Sequence, residues 1–146
     1  MLYKAVNTHD STFSYKNGHY GEFGWVSTRM DDVANYIPAR LAAMIIPGGT
    51  AILQLSLLNS HRILLRDGEK HVGPNSGLTE AALAGPLAVQ LGELNNYFGQ
   101  PSMRPTLGDS VKELRKKDVV RANTLMLITL ILATIIFLAV RFSLYW

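Results

Sequence analysis

Residues 122–140 read ANTLMLITLILATIIFLAV, nineteen positions without a charge. As a helix this run is about 28 Å long at ~1.5 Å per residue, close to the roughly 30 Å hydrocarbon core of a bilayer. Arg121 and Arg141 bracket it, and Tyr145 and Trp146 follow. Basic and aromatic side chains favour the interface because their stems are apolar and their tips stay wet. The competing reading is a buried helix of a soluble core, but such a helix does not need nineteen uncharged positions without a polar face. The run therefore predicts a transmembrane helix over 122–140. Lys112, Arg115, Lys116, Lys117 and Arg121 precede it and Arg141 alone follows, so the positive-inside rule predicts a cytoplasmic segment before the span.

Outward from this run, Leu41–Leu58 is a second uncharged stretch, interrupted by Pro47-Gly48-Gly49 and carrying Gln54. Proline removes a helical hydrogen bond and clashes with the preceding turn. The expectation is a break there, giving either a kinked span or a re-entrant pair of half-helices. The start, Met1–Asp10, lacks a basic region followed by an apolar block, so no secretory leader is read. The 146 residues carry 17% charged and 48% hydrophobic positions and no cysteine. That balance excludes disorder, a disulfide framework and Cys-ligated zinc or iron–sulfur sites. The net charge of +3 is a small surplus, and no nucleic-acid partner is expected.

The remainder predicts further helices. Tyr15–Gly24 reads as a loop, with a helix starting near Ser27 that Ser27 or Thr28 caps and whose first turn holds Asp31 and Asp32. Leu78–Leu91 reads as an Ala-rich helix kinked or divided at Pro86. Residues 92–110 read as a loop, and Asp109–Val120 as a short amphipathic helix. The fold class is all-α, a helical integral membrane protein.

Two polar clusters stand between the apolar runs. The first offers Asp10, Lys16, Arg29, Asp31, Asp32, Asn35 and Arg40. Asp32, Tyr36 and Arg40 share a helical face if the helix survives Pro38. Paired carboxylates beside Asn suit Mg²⁺, and Arg and Lys suit phosphate. The bland alternative is a helix-dipole pair with solvated i,i+4 contacts. The second cluster, RDGEKHVGPNSGLTEAALAG, gathers Arg66, Asp67, Lys70, His71, Asn75, Ser76 and Glu80. It is either an anion-binding loop at a helix start or a surface loop capped at Ser76. No P-loop occurs, the four histidines lack metal-ligand spacing, and His71 with Ser76 lacks the third member of a nucleophilic triad.

Together the clusters resemble a known family. YKAVNTHDSTFSYKNGHYGEFGWVSTRMDDVANYIPARL, RDGEKHVGPNSGLTEAALAGPLAVQLG and YFGQPSMRPTLG look like the C-terminal half of the CobD/CbiB family, the adenosylcobinamide-phosphate synthases of cobalamin biosynthesis. Ser14 stands where the family pattern has Gly, and the stretch Gly73–Leu78 lacks the family's leading Ser and its Trp. The resemblance implies a chain about twice this length, so a fragment of a multi-pass bundle is expected, from a split or truncated gene, with a separate N-terminal half chain as a partner. It implies an inner-membrane enzyme whose polar motifs face the cytoplasm. The implied reaction is ATP- and Mg²⁺-dependent amide formation, joining aminopropanol or its phosphate to the corrinoid (adenosyl)cobyric acid.

On that reading Asp31 and Asp32 are candidates for Mg²⁺, and Asp32, His71 and Glu80 for catalysis. Lys16, Arg29, Arg40, Arg66, Lys70, Asn75 and Ser76 are candidates for binding phosphate or substrate. The rival reading is a non-catalytic, tail-anchored scaffold or assembly subunit. It accounts for the span and its charge but not for two dense polar motifs in this order. If residues 41–58 re-enter, cysteines introduced as Asn17→Cys and Asn59→Cys will label with an impermeant thiol reagent from the same side of the membrane. Labelling from opposite sides overturns the re-entrant reading.

Overall fold

The first long helix, α1, runs from Gly21 to Ile52 and contains both Pro38 and Pro47. In the computed structural model, which describes Thr8 and residues 21–71, 73–92, 94–97, 100–103 and 105–146, the helix starts ahead of Ser27. Ser27 and Thr28 are thus interior positions rather than caps. The expected break at Pro47-Gly48-Gly49 is also displaced. The helix persists to Ile52, and the chain turns over Leu53–Ser56, where Gln54 adopts a positive φ of 55°. Gly49 serves packing: a Cβ on it would lie 3.0 Å from Leu125 Cδ1 and 3.2 Å from Thr129 Oγ1. The Thr50 hydroxyl donates to the Pro47 carbonyl at 2.6 Å and satisfies a polar group that would otherwise be buried alone.

Helix α2, Leu57–Asp67, begins at Ser56, whose Oγ accepts the Asn59 N–H. Helix α3, Ser76–Leu87, returns beside it. The Ser60 hydroxyl donates to the Ala82 carbonyl at 2.7 Å, and Gly85 lets the Asn59 backbone approach where a Cβ would collide. The expected helix to Leu91 instead stops at Leu87. Pro86 lies in its last turn, and Ala88 closes it in the left-handed conformation at φ 54°. Pro86 therefore ends the helix rather than kinking it.

Residues expected as loop contain a short antiparallel hairpin, β1 Leu94–Tyr97 with β2 Gln100–Met103, in which Leu94 opposes Met103. Below it Leu91 and Leu107 exchange both backbone hydrogen bonds at 2.8 Å. The other regular elements among the described residues are helices. The amphipathic helix expected over Asp109–Val120 is not formed as such; residues 109–115 are irregular and helix α4 runs from Lys116 to Tyr145. Buried Asp118 explains the start. It accepts Lys112 Nζ at 2.6 Å and the Arg115 N–H at 3.1 Å, so Lys112 folds back onto the helix end instead of extending it.

Among the described residues α4 is the one helix long and apolar enough to cross a membrane. Leu127, Leu130, Ile131, Ile135, Phe137 and Leu138 lie on it largely uncovered. Helix α1 packs antiparallel along it: Gly49 meets Leu125 and Thr129, while Pro38 lines an apolar groove with Phe137 and Val140. Ile46, Ala82 and Leu125 join α1, α3 and α4 in one buried cluster. A second cluster, Ile63 with Ala81 and Ala84, holds α2 on α3. Gly85→Leu is expected to lower stability by about 1–3 kcal/mol through overpacking, read as a lower chemical-denaturation midpoint in detergent. An unchanged midpoint excludes the close α2–α3 approach.

Candidate functional site

The two polar clusters, some forty residues apart in sequence, meet where the start of α3 lies against α1. They line a cavity of about 440 Å³ with Asp31, Asp32, Asn35, Pro38 and Ala39 on one wall and Gly73, Asn75, Ser76 and Thr79 on the other. The joint between the walls is a hydrogen bond from Asn75 Nδ2 to the Asp32 carbonyl at 2.8 Å. Asp31 and Asn35, one helical turn apart, are coupled directly: Asn35 Nδ2 donates to the Asp31 carboxylate at 2.8 Å and to its carbonyl at 3.0 Å.

The α3 wall has its own wiring. His71 Nδ1 accepts the Gly73 N–H at 3.1 Å and lies 2.9 Å from Ser76 Oγ. Because a backbone N–H donates to it, Nδ1 carries no proton, so the Ser76 hydroxyl is the donor in the second contact. Gly77 makes room for this arrangement, since a Cβ there would sit 2.7 Å from His71 Cβ and 2.6 Å from the Gly68 carbonyl. Asn75 is the N-cap of α3 but makes no side-chain cap hydrogen bond, so Ser76 is not the cap and Asn75 is turned to α1 instead. His71 Nε2 and Asn75 Oδ1 are buried without partners.

Among the described residues the predicted cations do not line this cavity. Arg66 and Lys70, expected to hold phosphate, converge on buried Asp67: Arg66 forks onto both carboxylate oxygens at 2.8 and 2.7 Å, and Lys70 Nζ reaches 2.6 Å. The Gly108 N–H adds a fourth contact at 2.8 Å, and Arg66 also reaches Asp109 at 2.7 Å. Neither base lines the cavity. Arg40 lies over the Tyr36 ring, its Cζ 3.4 Å from the centroid, and donates to the Tyr36 carbonyl. Arg29 stands 5.6 Å over the Trp25 ring. Glu80 follows Thr79 on α3 and is not part of the lining. Lys16 and Asp10 fall outside the described residues. So Asp31, Asp32, Asn75 and Ser76 are brought together, with His71 behind Ser76. Asn35 and Thr79 complete the cavity. Asn35 was legible as the i+4 neighbour of Asp31, and Thr79 as one turn from Asn75 on the α3 helix.

Among the described residues no three His, Asp or Glu side chains cluster to hold a metal ion. Asp31 and Asp32 both line the cavity, and Mg²⁺ in general keeps several waters and takes one or two carboxylates plus substrate phosphate. The Asp67 carboxyl is held well below the usual carboxylate range, chiefly by the Arg66 hydrogen bonds and further by Lys70 and the Gly108 N–H, against the opposing effect of burial. A lowered folded-state value stabilises the fold above the unfolded carboxyl pKa of about 4, and the contribution fades as pH falls below it. Asp67→Asn is therefore expected to cost about 1–3 kcal/mol at pH 7 and to flatten the loss of stability below pH ~4. Thermal melts across pH check this; parallel wild-type and variant curves contradict it.

The architecture is that of a helical chain with a membrane-length apolar helix and a polar pocket built by two separated motifs. The family model described as CobD/Cbib protein matches residues 1–126. Three similar curated proteins are a cobalamin biosynthesis protein CobD of Leptospira interrogans, a CobD of Geobacter metallireducens and a CbiB of Salmonella paratyphi B. The first is 46% identical over 140 residues, 96% of this chain and 44% of the relative. The second is 53% identical over 114 residues, 78% of this chain and 36% of the relative. The third is 43% identical over 141 residues, 97% of this chain and 44% of the relative. No solved structure matches. The chain belongs to the CobD/CbiB family and spans less than half the length of these relatives.

Proposed function

We propose that the chain acts in cobalamin biosynthesis as part of an inner-membrane enzyme that joins aminopropanol, or its phosphate, to a carboxyl group of (adenosyl)cobyric acid. The remaining length of the relatives contributes to the same enzyme. The observation that carries this reading is the meeting of the two family-like motifs in one cavity, tied by Asn75 to the Asp32 carbonyl. A scaffold has no need of a polar cavity with two carboxylates.

A carboxylate is a poor electrophile, and ATP activates it by supplying a phosphate leaving group. Asp31 and Asp32 would hold Mg²⁺, which would neutralise charge on the phosphoryl oxygens. Asn35 orients Asp31, and Asn75 ties the α3 wall to α1, so the groups on both walls keep a fixed separation. Pro38 and Ala39 give the α1 wall an apolar patch. His71 acts through Ser76 rather than on substrate directly. Arg66 and Lys70, bound to Asp67, hold the loop's shape, and their removal acts on folding before it acts on chemistry.

ATP is cytoplasmic, so the reading has the cavity opening to the cytoplasm. Pro38 lies beside Phe137 and Val140, and with α4 crossing the bilayer the cavity then shares its side with Arg141–Trp146. Lys112–Arg121 falls at the other end, against the charge rule. Complementation of a cobinamide-synthesis mutant tests the function, using this chain with the rest of the enzyme as found in the relatives. Wild type restores corrinoid growth, and Asp32→Asn lowers turnover at least tenfold, with partial recovery at high Mg²⁺. Wild-type turnover of Asp32→Asn at ordinary Mg²⁺ removes Asp32 from the metal site.

A further inference from the structure

The hydroxyl protons of Ser76 and Thr79 on the cavity's α3 wall are committed to partners within the chain. Ser76 donates its hydroxyl proton to His71 Nδ1, an assignment forced by the Gly73 N–H on the same nitrogen. The Thr79 hydroxyl donates to the Ser76 carbonyl at 3.2 Å. Asn35 Nδ2 donates to both the carbonyl and the carboxylate of Asp31. Asn75 Nδ2 donates to the Asp32 carbonyl, which also fixes the amide's orientation and leaves Oδ1 as a buried acceptor with no partner. The remaining polar lining side chains, Asp31 and Asp32, are acceptors when ionised. Backbone N–H groups at the start of α3 offer donors; the side chains turn lone pairs inward.

We propose that the α3 wall, Ser76 and Thr79 with the unmet Asn75 Oδ1 behind them, is the seat of the amine end of the small amino-alcohol substrate and selects for an N–H donor. The assignment rests on the amide-forming reading only for the identity of that amine. It replaces phosphate binding by the side chains of Asn75 and Ser76: a phosphate oxygen set against the Ser76 and Thr79 hydroxyls would face lone pairs, whereas an ammonium or amine finds two acceptors. A site wired this way discriminates strongly, because a ligand without the donor leaves its acceptors unpaired. His71 is a positioning residue. It does not touch the ligand but consumes the Ser76 proton, so the hydroxyl can only accept. Phosphate and metal are left to the Asp31–Asp32 wall, and the attacking nitrogen and the activated carboxyl then approach from opposite sides of one cavity.

The test uses the chain in detergent micelles, with ¹⁵N spectra of the Asn75 side-chain amide and the Ser76 backbone amide. 1-Amino-2-propanol is expected to shift both signals saturably, and inorganic phosphate or 1,2-propanediol at the same concentration to leave them in place. Ser76→Ala should weaken the amine about tenfold, and Ser76→Thr should retain it. His71→Ala frees the Ser76 proton, so the preference for amine over phosphate should fall about tenfold even where the amine still binds, an effect that a purely structural His71 would not produce. If His71→Ala fails to fold, the Ser76 pair decides. Phosphate or the diol shifting the signals as strongly as the amine, no saturable amine binding, or equal amine affinity in Ser76→Ala overturns the proposal. Amine binding without complementation would instead refute the cobinamide reading and leave the wiring intact.

Discussion

A buried carboxylate with four donors holds this structure together. Asp67 ends α2 and receives Arg66 through two nitrogens, Lys70 from the turn beyond, and the Gly108 N–H from the strand-like return of the chain. A buried charge is costly unless paired and hydrogen-bonded, so these partners cannot drift apart without exposing it. Their closure sets the corner between α2 and α3, and that corner sets where His71, Asn75 and Ser76 stand. Arg66 carries the linkage on to Asp109, so the segment leading to α4 is tied to the same point.

From that corner the cavity follows. The turn after α2 and the start of α3 need small residues where chains approach: at Gly77 a side chain would push His71 off Ser76, and at Gly68 it would strike the Leu64 carbonyl and Leu78. With the loop so shaped, Asn75 reaches α1 rather than capping its own helix. The cavity is thus made by a helix start that gives up one local hydrogen bond for a long-range one. The Ser76 and Thr79 hydroxyls and the Asn35 amide donate within the chain, and the acceptor at Asn75 Oδ1 and the donor at His71 Nε2 remain unmet. Buried groups of this kind each cost of the order of 1–3 kcal/mol, a cost that a bound ligand can offset.

The apolar elements play a different part. Helix α4 shows little of itself to the rest of the chain, and its exposed Leu, Ile and Phe suit lipid by length and composition. Within its apolar span it buries Leu125 and Thr129 against Gly49 and Ile46 of α1. Small residues in α1 and α3 allow these close contacts, the pattern that favours helix association where no hydrophobic force separates helix from lipid. The helix continues through Pro47, the Thr50 hydroxyl donates to the Pro47 carbonyl, and the chain turns only where Gln54 becomes left-handed.

The amino-acid sequence by itself determined the apolar helix, the helical class, the absence of disulfides and the two motif clusters with their family. Periodicity, charge and rare phrases are local signals, and each of these features is local. The ends of α1 and α3 and the start of α4 escaped it. Their boundaries depend on partners far away in the chain: Leu125 against Gly49, Asn59 against Gly85, Lys112 curled onto Asp118. The fate of the basic residues escaped it for the same reason. Arg66 and Lys70 look like phosphate ligands in a string of letters, and only the fold shows them committed to Asp67. Which of the clustered polar residues face one another, and which of them turn lone pairs rather than protons into the cavity, is a matter of three-dimensional hydrogen-bond partnership, and the tertiary structure alone decided it.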